Sequence, residues 1–551
     1  MKIRWHIVLV ALFAVVFLQP LQSSAQNYLD VPPDPNFAKD YLNNVIYGDT
    51  TETGERVPDR VYRLQPGGIY YFNNVIKIKG DLKIVAEGEN PSGFNKAIIL
   101  AAANEQGVRP ARFAEAHGDV LFKNIYFSMI TDKDKQVNDL VRVYKDGAVI
   151  RMENCFAEWL KLFVFRVYSA NTSVYIKDCY FRNITGVGGP FNGKIVQFQN
   201  NPVNELILQN NTMANVQGPL INIRFNTVGL LKFDHNTVVN TLKWPFHFEY
   251  WTNGIVTNNI FFNVASYGEN RADASNQDQE GLMFGIINLY TIPDSLLPQV
   301  GLTSQADRRM LVRNNLYYHD QSVLDYIAKW WASDSVRLEP WMNERTRAWA
   351  EDDNAFPYLD IQDPIQEDPQ FFEYPTADSM VKKMDQWRTD GKKTTWWWVD
   401  DDGDKVSNAT DRPHNLAFPT SSPAYDAADG GFPLGDLNWF PEKKAEWVTA
   451  VEESRASAPR EFALLQNYPN PFNPTTRVLY SLDKPGRTRL IVYDLMGRKV
   501  RTLVDGDMPA GRHVAVWDGR DADGVSVPSG IYLCRLEAAG KVAVRKMVLS
   551  K

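Results

Sequence analysis

The segments LILQNNTM (206–213), LLKFDHNTV (230–238) and IVTNNIFF (255–262) decide the architecture of this chain. Each alternates apolar and other residues with period two, breaks at a pair containing Asn, and resumes with an apolar or aromatic step. The same phrase occurs in DVLFKNIYF (119–127), VIRMENCFA (149–157), VYIKDCYF (174–181) and MLVRNNLYY (310–318). The first residue of the pair falls at Asn124, Asn154, Asp178, Asn210, His235, Asn258 and Asn314, so the first five steps are 30, 24, 32, 25 and 23 residues and the last, with an insertion, is 56. Self-similarity at such a period signals a solenoid. Alternation with period two and enrichment in Val, Ile, Phe and Tyr make each repeat a turn of sheet, not a helical hairpin. A short strand cannot bury its apolar face alone, but stacked turns share one continuous core. Asn211, Asn236, Asn259 and Asn315 recur at the bend, where their amides are expected to bond the next turn and satisfy backbone groups.

On these residues the chain resembles the right-handed parallel β-helix, or pectin-lyase-like, superfamily over about residues 40–440. The segment VYRLQPGGIYYFNNVIKIKGDLKIVAEGE (61–89) is similar to the first turns of such proteins, and SSPAYDAADGGFPLGDLNW (421–439) to their closing segment. Residues 321–415 depart from the repeat, with helix-like SVLDYIAKWWA and EPWMNERTRAWAED and a Trp/Asp-rich remainder. A solenoid end needs a cover, and this insertion is expected to supply one. The resemblance is specific for fold and not for activity.

A second module follows. PEKKAEWVTAVEESRASAPR (441–460) reads as a linker, within a linker span of 441–462. Residues 463–551 are short alternating strands broken by Pro, Gly and Asp-Gly turns, as a small β-sandwich requires. The pieces NYPNPFNP (467–474), VYDLMGRKV (492–500), AGRHVAVWDG (510–519) and SGIYLCRL (529–536) resemble the FlgD-like Ig domain used as a type IX secretion sorting domain. The fold class expected is thus all-β, a right-handed parallel β-helix over 26–440 followed by an Ig-like β-sandwich. At the other end, Lys2 and Arg4 precede an apolar run from Ile7 to Leu18 and the small residues Ser23-Ser24-Ala25, the order of a secretory signal peptide (1–25). Two addresses imply export through the periplasm to the medium or outer surface, with the type IX machinery as a partner and no transmembrane segment in the mature chain.

Composition narrows the partners. The net charge of -7 supplies no basic footprint for nucleic acid. Three cysteines in 551 residues exclude a disulfide-dense scaffold. Cys155 and Cys179 occupy equivalent positions in consecutive turns and are expected as free thiols, since stacked side chains run parallel. A monomer is expected, with no cofactor.

Strand alternation also places candidate site residues. With Val141/Val143, Phe165/Val167, Val196/Phe198, Ile221/Ile223 and Phe246/Phe248 inward, two outward columns form. One is Arg142, Arg166, Gln197, Asn222, His247; the other is Tyr144, Tyr168, Gln199, Arg224, Glu249. Trp244 and Trp251 flank their end. Arg and Gln offer planar donors for carboxylates and hydroxyls, and Tyr offers a face for sugar C–H groups. A polysaccharide is the expected partner, held by Arg142, Tyr144, Arg166, Tyr168, Gln197, Gln199, Asn222, Arg224 and Glu249. A lyase on an acidic glycan would need a carboxylate-neutralising Arg and a base, for which His247 is the candidate. A hydrolase would need two carboxylates, and the strip offers only Glu249. The pattern carries no pectate-lyase or polygalacturonase catalytic signature. A surface glycan-binding β-helix, a polysaccharide lyase and an adhesin-like interaction protein therefore remain open. Asp400, Asp402 and Asp404 alternate around Gly403 with oxygen ligands suited to Ca²⁺, although no Glu follows at the twelfth position.

Overall fold

The computed structural model describes residues 27–550 except 51–56, 89–94, 187–188, 200, 271–281, 283, 301, 392–413, 458–461, 466, 468–469, 471, 483, 485 and 509–510. It divides into two compact units, one of residues 23–292 and 306–444, the other containing 445–551 with 293–305.

The first unit is a parallel β-helix whose turns contribute strands to three stacks. The first stack runs Ile76–Ile78, Arg112–Ala116, Asp139–Val143, Phe163–Val167, Lys194–Phe198, the start of Ile221–Asp234, and Phe246–Trp251, all paired in parallel. The second includes Val120–Lys123, Val149–Glu153, Thr172–Lys177, Val203–Gln209, the end of Ile221–Asp234, Asn253–Thr257 and Arg309–Arg313. The third runs from Ile69–Phe72 to Leu316–Tyr318. Because Ile221–Asp234 serves two stacks, they merge into one seventeen-stranded sheet. The expected inward residues Val141, Val143, Phe165, Val167, Val196, Phe198, Ile221, Ile223 and Phe246 are all buried.

Each repeat bends at the residue that opens the Asn-containing pair. Asn124, Asn154, Asp178, Asn210, His235, Asn258 and Asn314 all have φ between 48° and 61°. This left-handed conformation is one that Asn and Asp adopt more readily than branched residues. The next residue forms the ladder. The Nδ2 groups of Asn211, Asn236 and Asn259 donate to the Oδ1 atoms of Asn236, Asn259 and Asn315 at 2.9, 3.2 and 2.9 Å. Each Oδ1 also accepts a backbone N–H from the turn before, at 2.8–3.1 Å. Cys179 continues this column, its N–H donating to Asn211 Oδ1 at 2.9 Å. Cys155, Cys179 and Cys534 are buried free thiols, as expected for the first two.

A second ladder escaped the sequence reading. Asn183, Asn215, Asn240 and Asn263 are also left-handed, and Asn240 and Asn263 donate to Asn215 and Asn240 at 3.2 and 3.1 Å. It ends on Asp320, which accepts from Asn263 and from Val323 N, capping the helix Gln321–Asp334. This helix, Glu344–Glu351 and Asp378–Asp390 are the α-helices of the described part of the 321–415 insertion, while Leu359–Ile361 adds a further strand to the second stack.

Residues 414–444 lie along the outside of the third stack. Leu416, Phe418, Leu434 and their neighbours pack on Val239, Ile260, Phe262 and Leu316. Asp429 N donates to Asn258, Asp436 accepts from Thr212 at 2.8 Å, and Asn438 and Lys444 reach Asp178. The strap therefore runs back from the late turns to the Asp178 turn. The linker span 441–462 opens with the helix Pro441–Ser457, consistent with its Glu, Lys and Ala content and Pro at the first helical position.

The second unit pairs a three-stranded and a four-stranded antiparallel sheet. Val478, Tyr480, Leu490, Val492, Trp517, Cys534, Leu536 and Met547 fill its core. Asn470 and Phe472, from the Pro-rich entry segment, clasp Val548: its N–H donates to Asn470 Oδ1 at 2.7 Å and its carbonyl accepts from Phe472 N at 2.9 Å.

Candidate functional site

The outer face of the first stack carries three columns. The central one follows directly from the pairing: Lys77, Glu115, Arg142, Arg166, Gln197, Asn222 and His247 stand opposite one another on successive turns. Its five later members are those read from alternation. Glu115 was missed because the strand AEA at 114–116 lacks the large apolar pair that marks the others, and Lys77, between Ile76 and Ile78, joins the column only through it.

Beside it lies a column of rings. His117 stacks on Tyr144 at 5.0 Å and 17°, and Tyr144 on Tyr168 at 4.9 Å and 12°. The guanidinium of Arg166 lies 5.3 Å from the Tyr168 ring centre and that of Arg142 5.9 Å. Gln199 continues the column, its amide end facing Arg166, whose Nε and Nη2 lie 2.8 and 2.9 Å away and are accepted by its oxygen when the amide is turned that way. The column then loses register. Between Ile223↔Phe248 and Thr227↔Tyr250 the pairing shifts, so Arg224 and Glu249 do not continue it as a regular rung. An irregularity of this kind leaves no trace in alternation. The side chains of Arg224 and Glu249 lie outside the described residues.

The third column, Arg112, Asp139, Phe163 and Lys194, was also missed. These residues precede the central column by three positions, an odd spacing that strict alternation assigns to the core. Asp139 accepts from Arg142 Nε at 2.6 Å. Burial raises its carboxyl pKa although Arg142, Arg166 and Arg112 oppose the rise. Burial also opposes the Arg142 charge, but the hydrogen bond to Asp139 prevails and its pKa is raised. Lys194 is pushed down to about 8 by burial and by Arg166. Its amine donates to the Phe191 carbonyl and lies over the Phe163 ring, which Arg166 also covers at 5.1 Å.

The face is consequently less solvated than alternation suggested. Arg142 and Arg166 are half-buried, and Gln197 and Asn222 are buried, joined by a 2.6 Å hydrogen bond. Phe191, Trp244 and Phe284 pack around the His247 ring with centroids 5.6–6.3 Å away. Trp244 does flank the end of the strip, whereas Trp251 is in the core against Phe246. The result is a strip with adjacent cations and a ring platform at its centre and aromatics packed at one end. Such a surface can pair carboxylates with Arg142 and Arg166 and lay sugar faces on Tyr144 and Tyr168. Among the described residues no group of three or more His, Cys, Asp or Glu is placed to hold a metal. Asp400, Asp402 and Asp404 lie outside the described residues.

The chain is thus an all-β protein, a parallel β-helix with an Ig-like sandwich behind it. Residues 474–541 match the FlgD Ig-like domain family. The basal-body rod modification proteins FlgD of Salmonella typhimurium and Salmonella typhi are each 38% identical over 66 residues, 12% of this chain and 28% of the relative. The chain therefore spans little more than a quarter of those relatives, and they bear on the C-terminal module alone. The structure of PorZ, described as an essential bacterial surface component of the type IX secretion system of Porphyromonas gingivalis, is 20% identical. That likeness covers 16% of this chain and 12% of PorZ with a TM-score of 0.13. No described helix is long and apolar enough to cross a membrane.

Proposed function

We propose that this is a secreted or cell-surface protein whose β-helix binds an acidic polysaccharide along the outer face of the first stack, in the manner of the pectin-lyase-like superfamily it resembles. The observation that carries this reading is the adjacency of Arg142 and Arg166 to the stacked rings of His117, Tyr144 and Tyr168. Turns about 4.8 Å apart set the spacing of these groups, so a glycan lying along the strip meets a ring or a cation on each of the turns carrying Glu115, Arg142 and Arg166. Replacing Arg166 with Ala removes a charge-assisted donor and is expected to weaken binding of a uronate-rich polysaccharide about 10- to 100-fold, on the scale of 1.5–3 kcal/mol. Calorimetric titration of the purified chain measures it. Equal affinity in wild type and Arg166→Ala would remove the strip from consideration.

A lyase reading is favoured by Lys194, whose pKa of about 8 leaves an appreciable neutral fraction near neutral pH beside the Arg166 cation. His247 stands three turns along the central column from Arg166, with Gln197 and Asn222 between. Release of unsaturated products, abolished in Lys194→Ala or His247→Ala with binding retained, distinguishes catalysis from binding alone.

The C-terminal module serves, in this proposal, as the address read by a type IX secretion system after Sec export. Deleting residues 463–551 is expected to leave a folded β-helix trapped in the periplasm of the native host, since solenoid turns depend on their neighbours. Fractionation and immunoblotting provide the test, and arrival of the truncated chain at the surface would exclude this role.

A further inference from the structure

Where the solenoid meets its helical insertion, two arginines are buried side by side. Arg308 is fully buried and Arg345 nearly so. Their positions are fixed by one short stretch of backbone. Arg345 Nε donates to Leu289 O at 2.8 Å, Arg308 Nη2 donates to Tyr290 O, and Thr346 Oγ1 accepts from Leu289 N at 2.8 Å. The helix Glu344–Glu351, capped by Asn343, puts Arg345 and Trp349 on one face. The Trp349 ring lies 5.6 Å from the Arg308 guanidinium and 6.0 Å from that of Arg345.

Among the described residues the charge of Arg308 has no counterpart. It makes no ion pair, and its Nε and Nη1 have no acceptor among the described residues. Burial and the neighbouring Arg345 both disfavour its cation, and the Tyr250 phenol only partly offsets them. The pKa falls to about 9, which still leaves the group charged at neutral pH. A buried ion without a partner costs several kcal/mol, and folded proteins rarely leave such a group uncompensated.

We infer that Arg308, with Arg345 beside it, forms a buried binding site for a small oxyanion: a sulfate, phosphate or carboxylate, free or carried on a saccharide. The anion accepts from one of the two unpartnered edges of the Arg308 guanidinium, at Nε or at Nη1, and offsets the adjacent cations, with Trp349 as the site's wall. This site is separate from the outer strip, and it stands whether or not the strip binds glycan.

The test uses the full-length mature chain. After exhaustive dialysis into chloride buffer, sodium sulfate, sodium phosphate or sodium acetate is titrated at matched ionic strength while Tm is followed. Ion chromatography of the denatured protein measures any anion retained. The expected result is either about one equivalent of retained oxyanion per chain or a rise in Tm of roughly 3–6 °C at saturation. Arg308→Met is expected to abolish retention and response without melting below anion-free wild type, since an apolar side chain replaces an unpaired charge. Arg308→Lys keeps the charge but loses the planar donors, and is expected to raise the half-saturating concentration about tenfold. Arg166→Ala should respond as wild type, and a response lost in that variant instead would assign the anion to the outer strip. A response in acetate alone identifies a carboxylate site; one in sulfate or phosphate identifies a tetrahedral oxyanion. Wild type that retains no anion and shows no Tm response overturns the inference, as does an Arg308→Met response equal to that of wild type.

Discussion

Asn236→Ala is expected to destabilise the β-helix by about 3–5 kcal/mol, far beyond the loss of one side-chain contact. The Asn236 amide nitrogen donates to Leu208 O at 3.0 Å and to Asn259 Oδ1 at 3.2 Å, while its oxygen accepts from Asn211 N at 3.1 Å and Asn211 Nδ2 at 2.9 Å. All of these groups are buried, so truncation strands two donors and a carbonyl with no water to replace the amide. Each orphaned group costs about 1–3 kcal/mol, and together they outweigh the small transfer gain of the methyl. Urea unfolding of the chain measures the loss, and hydrogen exchange at the Asn211 amide locates it. A loss below about 1 kcal/mol would show that the ladder is ornamental to stability. The exposed-edge substitution Val542→Thr is a suitable reference, since Val542 is more than half exposed and such changes usually stay within about 0.5 kcal/mol.

Glu158→Ala should be of the same order, for a different reason. Glu158 and Arg182 sit on adjacent turns of the third stack, both fully buried, with Arg182 Nε donating to Glu158 Oε2 at 2.5 Å. The Tyr126 hydroxyl donates to the other oxygen. Removing the carboxylate leaves a guanidinium in the interior, and breaking a buried pair in this way typically costs about 3–5 kcal/mol. Replacing both partners with apolar residues, as in Glu158→Met with Arg182→Leu, is expected to recover most of the loss, because no unpaired charge remains. Comparison of urea midpoints for the single and double variants checks the argument. A double variant no more stable than the single would mean that the polar contacts, not the charge, account for the penalty.

The pitch of the solenoid was plain in the sequence because the left-handed bend demands residue types that alternating strands otherwise avoid. Asn154, Asp178 and Asn258 announced it, and even His235 obeyed it. The Asn183–Asn263 ladder has the same chemistry, yet it hides inside runs such as FRNIT and MANVQ, where no doubled amide marks the bend. The central column of the strip could be read out to His247 because inward Val, Phe and Ile fixed its parity. Asp139 and Lys194 could not, since they lie where the chain turns and parity fails. The shift after Ile223 similarly defeats Arg224 and Glu249 as regular rungs. Burial of Arg308 beside Arg345 depends on an insertion folding back over the late turns, a long-range event with no local signature.

The strap at 414–444 has a mechanical consequence. Tension applied at the C-terminus of the chain does not reach the β-helix at its last turn. It arrives at the Asp178 turn, through Lys444 at 2.7 Å and the Asn438 contacts, well inside the stack. Detachment must then proceed residue by residue toward Asp429, peeling Asn438, Asp436 and Gly435 from their partners in succession before the late turns bear load. Peeling breaks bonds one at a time at low force, whereas pulling neighbouring turns apart breaks whole ladders together. The strap would therefore yield first and leave the solenoid wound, acting as a sacrificial tether when the C-terminus is held and the body is dragged.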